Sequence, residues 1–308
     1  MTIWSRKILF VTGKGGVGKT LCTAILGMAA ASQGVKTAIV ELNGQHDLAR
    51  LFGYQNSQFA PRMLAPHLAL IGLTPIECLH DFGRQKLRSK ALVKILLENR
   101  VFDALVDGVP GLHDLFQLGK INNMVKPDRG TPEFELVIVD APATGHARTL
   151  FSASAGMRDM TRVGIVAEEA GTIADTLANP EMAGTILVTH PEALPTSETL
   201  EFIASWEPEH PQVAGLLINQ ADTSDQLPAG DWKMIRNELM QSDFEQVARV
   251  GDSWQNRLIR QQHAMEKLQS SLQKDLLMSS IPKVGAKEFS IPFFRRLANA
   301  LGNQWGSA

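Results

Sequence analysis

Ile8-Leu9-Phe10-Val11-Thr12-Gly13-Lys14-Gly15-Gly16-Val17-Gly18-Lys19-Thr20 sets an apolar run directly before a glycine-rich octapeptide. The Ala-rich stretch Leu21–Ser32 follows it with few helix breakers. A strand, then Gly-x-x-x-x-Gly-Lys-[Ser/Thr], then a helix is the context a phosphate-binding loop requires. The glycines let the backbone curl so that successive N–H groups face the phosphates, and the helix N-terminus adds partial positive charge. On this reading Gly13, Gly15, Gly16, Val17, Gly18, Lys19, Thr20 and Leu21 line a nucleotide. Lys19 reaches the β- and γ-phosphates, and the Thr20 hydroxyl sits on Mg²⁺.

Outward from this loop, apolar runs alternate with helical stretches. Strands are expected at Ile8–Val11, Thr37–Leu42, Leu68–Leu73, Leu136–Val139, Thr185–Thr189, Val213–Asn219 and Leu276–Ile281. Strands separated by helices imply crossover connections, hence an α/β fold with a doubly wound, mainly parallel sheet. Runs such as Leu136-Val137-Ile138-Val139 are apolar at consecutive positions, as expected of strands covered on both faces. Two segments depart from the alternation. Pro75–Met124 reads as a long helical insertion broken at Pro110-Gly111, so one phosphate-loop domain over 1–308 is expected, with a helical subdomain at about 75–126. Asp252–Lys274 reads as a long amphipathic helix, for which packing against the sheet is favoured.

Composition narrows the class. The 308 residues are enough for a large core. Lys and Arg number 30 against 32 Asp and Glu, for a net charge of −2, so no nucleic-acid partner is expected. No apolar run is long enough for a membrane span, and the N-terminus runs straight into the first strand. A cytoplasmic protein without a cleaved leader or integral membrane segment is expected. The two cysteines, Cys22 and Cys78, form neither a disulfide framework nor a Cys-x-x-Cys metal site.

Phe134-Glu135-Leu136-Val137-Ile138-Val139-Asp140 ends a strand in a carboxylate, which places Asp140 toward Mg²⁺. Ala141-Pro142-Ala143-Thr144-Gly145-His146 follows it. The early lysine in Lys14-Gly15-Gly16-Val17-Gly18-Lys19-Thr20 resembles the deviant loop of dimeric ATPases, which include partition ATPases and the nitrogenase iron protein. With Asp140, Thr144, Gly145 and His146 in place, the chain resembles the arsenite-pump and tail-anchored-protein-targeting ATPases. The resemblance extends to Pro110-Gly111-Leu112-His113-Asp114-Leu115, to Pro191-Glu192 followed by Glu198-Thr199, to Leu216–Gln220, and to Ile281–Val284.

That resemblance implies ATP and Mg²⁺ as cofactors and a homodimer across the nucleotide site. Lys14 of each protomer would then act on its partner's nucleotide. It also implies a second switch at Thr144, Gly145 and His146, with Asn219 and Pro282 holding adenine. Its first switch ends in Asp-Pro-Ala-His; here Glu41-Leu42-Asn43-Gly44-Gln45-His46 puts Asn43 at the Asp position while His46 keeps its match. An amide orients a water but cannot take its proton, so Glu41, two residues earlier, is a candidate base or water-organiser. Two isolated cysteines give no thiolate set for arsenite and no zinc clasp. Two readings stand. One is an ATP-hydrolysing switch that handles an unknown protein client or membrane-protein partner. The other is a nucleotide-gated scaffold that dimerises with little hydrolysis, because Asn43 replaces the carboxylate.

Overall fold

The first strand is apolar at every position because helices cover both of its sides. The computed structural model describes residues 2–86, 108–127, 130–161, 163–222, 229–273, 276–285 and 290–306. Strand β1 (Ile8–Gly13) is buried throughout; Ile8 and Phe10 enter one core, Leu9 and Val11 the other. Strand β2 (Thr37–Leu42) and β5 (Leu136–Asp140) divide in the same way, Val40 and Val139 facing one core, Ile39 and Ile138 the other. Side-chain alternation across a doubly covered sheet produces the continuous apolar runs.

The sheet also contains β3 (Arg62–Ala65), β4 (Leu68–Leu73), β6 (Ala183–Thr189), β7 (Val213–Ala221) and β8 (Leu277–Pro282). Its eight strands run in the order β3-β4-β2-β5-β1-β6-β7-β8. Every neighbouring pair is parallel except β3 and β4. The doubly wound, mainly parallel α/β fold expected from the sequence is therefore present. Edge strand β3 was not expected: it is four residues long, half-exposed and irregular in register, and carries no strong period. On one face lie helices Lys19–Ser32 and Ile291–Gly306. On the other lie Pro75–Lys86, Leu112–Val125, Thr144–Met160 and Ile165–Ala178.

Of the expected insertion, residues 87–107 lie outside the described residues. The flanking helix Leu112–Val125 buries Leu115, Phe116, Leu118, Ile121 and Met124 against the sheet. The long amphipathic helix spans Glu245–Ser271, beginning earlier than expected, and rests Leu268 on the core containing Phe202.

Register decides where the chemistry falls. Val11 pairs with Asp140, and Glu41 pairs with Asp140 from the other side. The carboxyl ends of β2, β5 and β1 therefore open onto one place. The chain leaves β1 toward β2 on one side while β6 lies on the other, which makes this end a topological switch point, the usual ligand crevice of open α/β sheets.

Candidate active site

The phosphate loop is held from below by two close approaches. A Cβ on Gly13 would stand 2.2 Å from the Val188 carbonyl oxygen, so β6 presses directly on the loop's start. Gly18 caps helix Lys19–Ser32 in the left-handed region (φ 86°). A Cβ there would meet Asn219 Nδ2 at 2.3 Å. That nitrogen donates to the Val17 carbonyl at 2.8 Å, so Asn219, buried on β7, braces the loop. Lys19 curls back over the loop, its Nζ donating to the Lys14 carbonyl at 3.3 Å. Burial lowers the Lys19 pKa, and the Asp140 charge works against that shift.

Thr20 and Asp140 meet at the loop's far end. Thr20 Oγ1 donates to Asp140 Oδ2 at 2.7 Å, and Thr23 Oγ1 lies 3.3 Å from Oδ1. Burial pushes the Asp140 carboxyl up to about 6, Glu41's charge adding to the rise while the two threonine hydroxyls and Lys19 oppose it. These groups fit Mg²⁺: hydroxyl and carboxylate oxygens are hard donors, and a divalent cation would offset the buried negative charge. Among the described residues no three His, Cys, Asp or Glu side chains cluster as a protein-only metal site. A cation here would complete its shell with water and phosphate. Thr23 was missed by sequence reading; its spacing one helical turn beyond Thr20 was the available signal.

The segment expected to form the first switch is left-handed at Asn43 (φ 58°) and again at His46 (φ 59°). Asn43 tolerates this conformation better than most residues. Its backbone N–H donates to the Leu73 carbonyl at 2.9 Å, and its Oδ1 accepts from Gln117 Nε2 at 3.0 Å. Glu41 takes a different place from Asn43. It is 2 % exposed, does not line the cleft, and accepts the Leu48 N–H on Oε1 at 2.9 Å. It thus caps the short helix Asp47–Leu51, whose N-cap His46 makes no side-chain cap. Glu41 Oε2 is buried without a hydrogen-bond partner among the described residues. His46 does not line the cleft either: its Nδ1 accepts the Ser57 N–H at 3.3 Å and lies 3.1 Å from Ser57 Oγ.

The segment expected to form the second switch starts where Asp140 leaves β5. Thr12 Oγ1 donates to the Pro142 carbonyl at 2.7 Å, and the Ala141 N–H donates to the Val11 carbonyl at 3.0 Å. Thr144 then begins helix Thr144–Met160, with open space around Gly145. One cleft is lined by Lys19, Thr20, Asn43, Asp114, Asp140 and His146, along with Gln45, Asp47 and the Ala141–Ala143 segment. Burial raises the Asp114 pKa, opposed by His113 and His146. Neither Asp114 nor Gln117 was singled out as a site residue from sequence, because both stand on a helix whose meeting with the first switch is purely tertiary.

A second, smaller cleft joins Leu21, Asn219, Gln220, Pro282, Lys283 and Val284. Lys14 lies apart from both clefts, its Nζ donating to Glu198 Oε1 at 2.6 Å, with the two side chains 43 % and 38 % exposed. Cys22 and Cys78 are buried in different cores on opposite faces of the sheet, and burial pushes both thiols up. Neither belongs to a thiolate set. Among the described residues no helix is long and apolar enough to cross a membrane.

The family model of the anion-transporting ATPases matches residues 6–165. ATPase BagA of Mycobacterium tuberculosis is 27% identical over 226 residues, covering 70% of this chain and 65% of its own length. The chain thus spans slightly under two thirds of that relative. ATPase GET3 of Kluyveromyces lactis is 23% identical over 286 residues, covering 79% and 82% of the two chains. ATPase ASNA1 homolog 2 of Paramecium tetraurelia is 27% identical over 151 residues, 48% and 44% respectively.

Proposed function

From the anion-transporting ATPase family, to which this chain belongs, we propose that the protein is a Mg²⁺-dependent ATPase working as a homodimeric switch. The observation that carries this reading is the hydrogen bond from Thr20 to Asp140 at 2.7 Å, beside Lys19 and in front of both switch loops. Thr20 and Asp140 would hold Mg²⁺, which supplies charge neutralisation between the β- and γ-phosphates. The loop N–H groups and Lys19 cradle the phosphates. Leu21, Asn219 and Pro282 frame the smaller cleft, which suits adenine.

Lys14 supplies the trans-acting charge to the partner's nucleotide. Its pair with Glu198 is exposed and therefore weak, so the lysine is free to swing across a dimer interface. Hydrolysis relaxes the loops at Asn43–His46 and Ala141–His146. That relaxation reaches helix Leu112–Val125, part of the helical segment expected at about 75–126, which would carry a protein client or membrane-protein partner. The family's whole activity belongs to this proposal, as does a cytoplasmic setting.

Steady-state phosphate release with Mg²⁺-ATP tests the reading, beside Lys14→Ala and Lys19→Ala. Turnover lost in both variants supports a trans-acting lysine. Tight ATP binding without turnover above the Lys19→Ala background supports the second reading, a nucleotide-gated scaffold. One observation favours that alternative: no carboxylate stands at Asn43, and Glu41 is committed to Leu48.

A further inference from the structure

The geometry points to Gln117 as the positioning residue that turns Asn43 into a hydrogen-bond donor toward the terminal phosphate. This inference rests on the nucleotide-binding reading above and concerns how the first switch meets its ligand. Gln117 is fully buried on helix Leu112–Val125. Its Nε2 donates to two acceptors, the Leu73 carbonyl at 3.1 Å and Asn43 Oδ1 at 3.0 Å. A backbone carbonyl only accepts, so the nitrogen end of the Gln117 amide must face Leu73. Reversing that amide would set oxygen against oxygen. With Gln117 Nε2 directed at Asn43, the atom it meets there must be Oδ1, and the Asn43 amide is fixed in turn.

The consequence is chemical. Asn43 is exposed, lines the cleft with Lys19, Thr20 and Asp140, and has its oxygen already engaged. What it offers the cleft is Nδ2–H, and that nitrogen has no hydrogen-bond partner among the described residues. An N–H stabilises phosphate oxyanions; it cannot accept the proton of an attacking water. Asn43 is held by backbone and side chain together, since its backbone N–H donates to the same Leu73 carbonyl. Asn43 is therefore no weakened copy of a carboxylate: it has the opposite polarity, and Gln117 enforces it.

A double-mutant cycle over Asn43→Ala and Gln117→Met tests this, read as affinity for Mg²⁺·ADP·beryllium fluoride against ADP alone. Each single change is expected to weaken the fluoride complex by about tenfold, the scale of one hydrogen bond to a charged acceptor. ADP binding stays unchanged, and the double variant is no weaker than Asn43→Ala. Asn43→Asp presents a carboxylate oxygen to the phosphate mimic and weakens it further than Asn43→Ala does. Asn43 is exposed, so that contrast holds even if Gln117→Met fails to fold. Multiplying effects, or an Asn43→Asp variant that binds the mimic as well as wild type, would overturn the inference. A protein that shows the coupling yet releases no phosphate keeps the inference and overturns hydrolysis alone. Failure of the wild type to bind ADP overturns both.

Discussion

Replacing Glu41 by glutamine and by alanine separates an anchor from a general base. Glu41 Oε1 accepts the Leu48 N–H at 2.9 Å, and Leu48 is fully buried. A hydrogen bond to a charged acceptor contributes about 1.5–3 kcal/mol, and leaving a buried donor unmet costs about 1–3 kcal/mol. These are two descriptions of one loss, so Glu41→Ala should destabilise by about 2–3 kcal/mol. For a chain of 308 residues that lowers the melting temperature by about 3–5 °C. Glu41→Gln keeps an acceptor oxygen in the same place and should lose about 1 kcal/mol or less. Its turnover should stay within a few-fold of wild type, whereas removing a true general base costs about 10²–10⁴-fold. Thermal melts and steady-state phosphate release on both variants make the comparison. If Glu41→Gln keeps its melting temperature yet loses turnover by a hundredfold or more, the anchor reading is wrong and Glu41 acts on the water.

Three further outcomes are expected. Asp140 is held at about 6 in the folded chain against about 3.9 unfolded, so its charged form opposes folding as pH rises through this window. Without Mg²⁺, Asp140→Asn should exceed wild-type stability by about 3 kcal/mol at pH 7.5, the gap closing by about pH 4; denaturant titrations showing a constant gap would contradict this. Gly18→Ala adds a Cβ 2.3 Å from Asn219 Nδ2 at a left-handed position, combining about 1–2 kcal/mol of backbone strain with loss of the bond from Asn219 to Val17, about 1 kcal/mol. It should destabilise by about 2–3 kcal/mol and abolish ADP binding by calorimetry; a wild-type isotherm would refute the bracing role. Glu198→Gln should change stability by less than about 0.5 kcal/mol in urea, because the pair with Lys14 is exposed; a loss above 1 kcal/mol would show the pair to be a structural clamp.

Legibility tracked the range of the forces involved. Thr37–Leu42 and Leu68–Leu73 were read with the observed bounds because continuous apolar character is imposed strand by strand by two covering layers. The glycine-rich turn between β1 and helix Lys19–Ser32 was equally legible, since its glycines answer to local turn geometry and to immediate backbone contacts. Edge strand Arg62–Ala65 was not legible because one flank is unpaired and its side chains stay half-exposed. The sequence makes both Glu41 and Asn43 candidates for the first switch. Two-residue spacing could not reveal that one turns to Leu48 and the other to Gln117.

The sequence by itself determined the α/β fold, the strand that carries the phosphate loop, and the identities of Lys19, Thr20 and Asp140, because each depends on neighbours a few residues away. Tertiary structure alone decided what these residues touch. Asn219 braces Val17 from 202 positions away, Lys14 reaches Glu198 across 184, and Gln117 orients Asn43 across 74. Such pairings arise from sheet order and helix packing. Local propensity and spacing carry no record of which distant amide, hydroxyl or carboxylate the packed chain will bring within three ångströms.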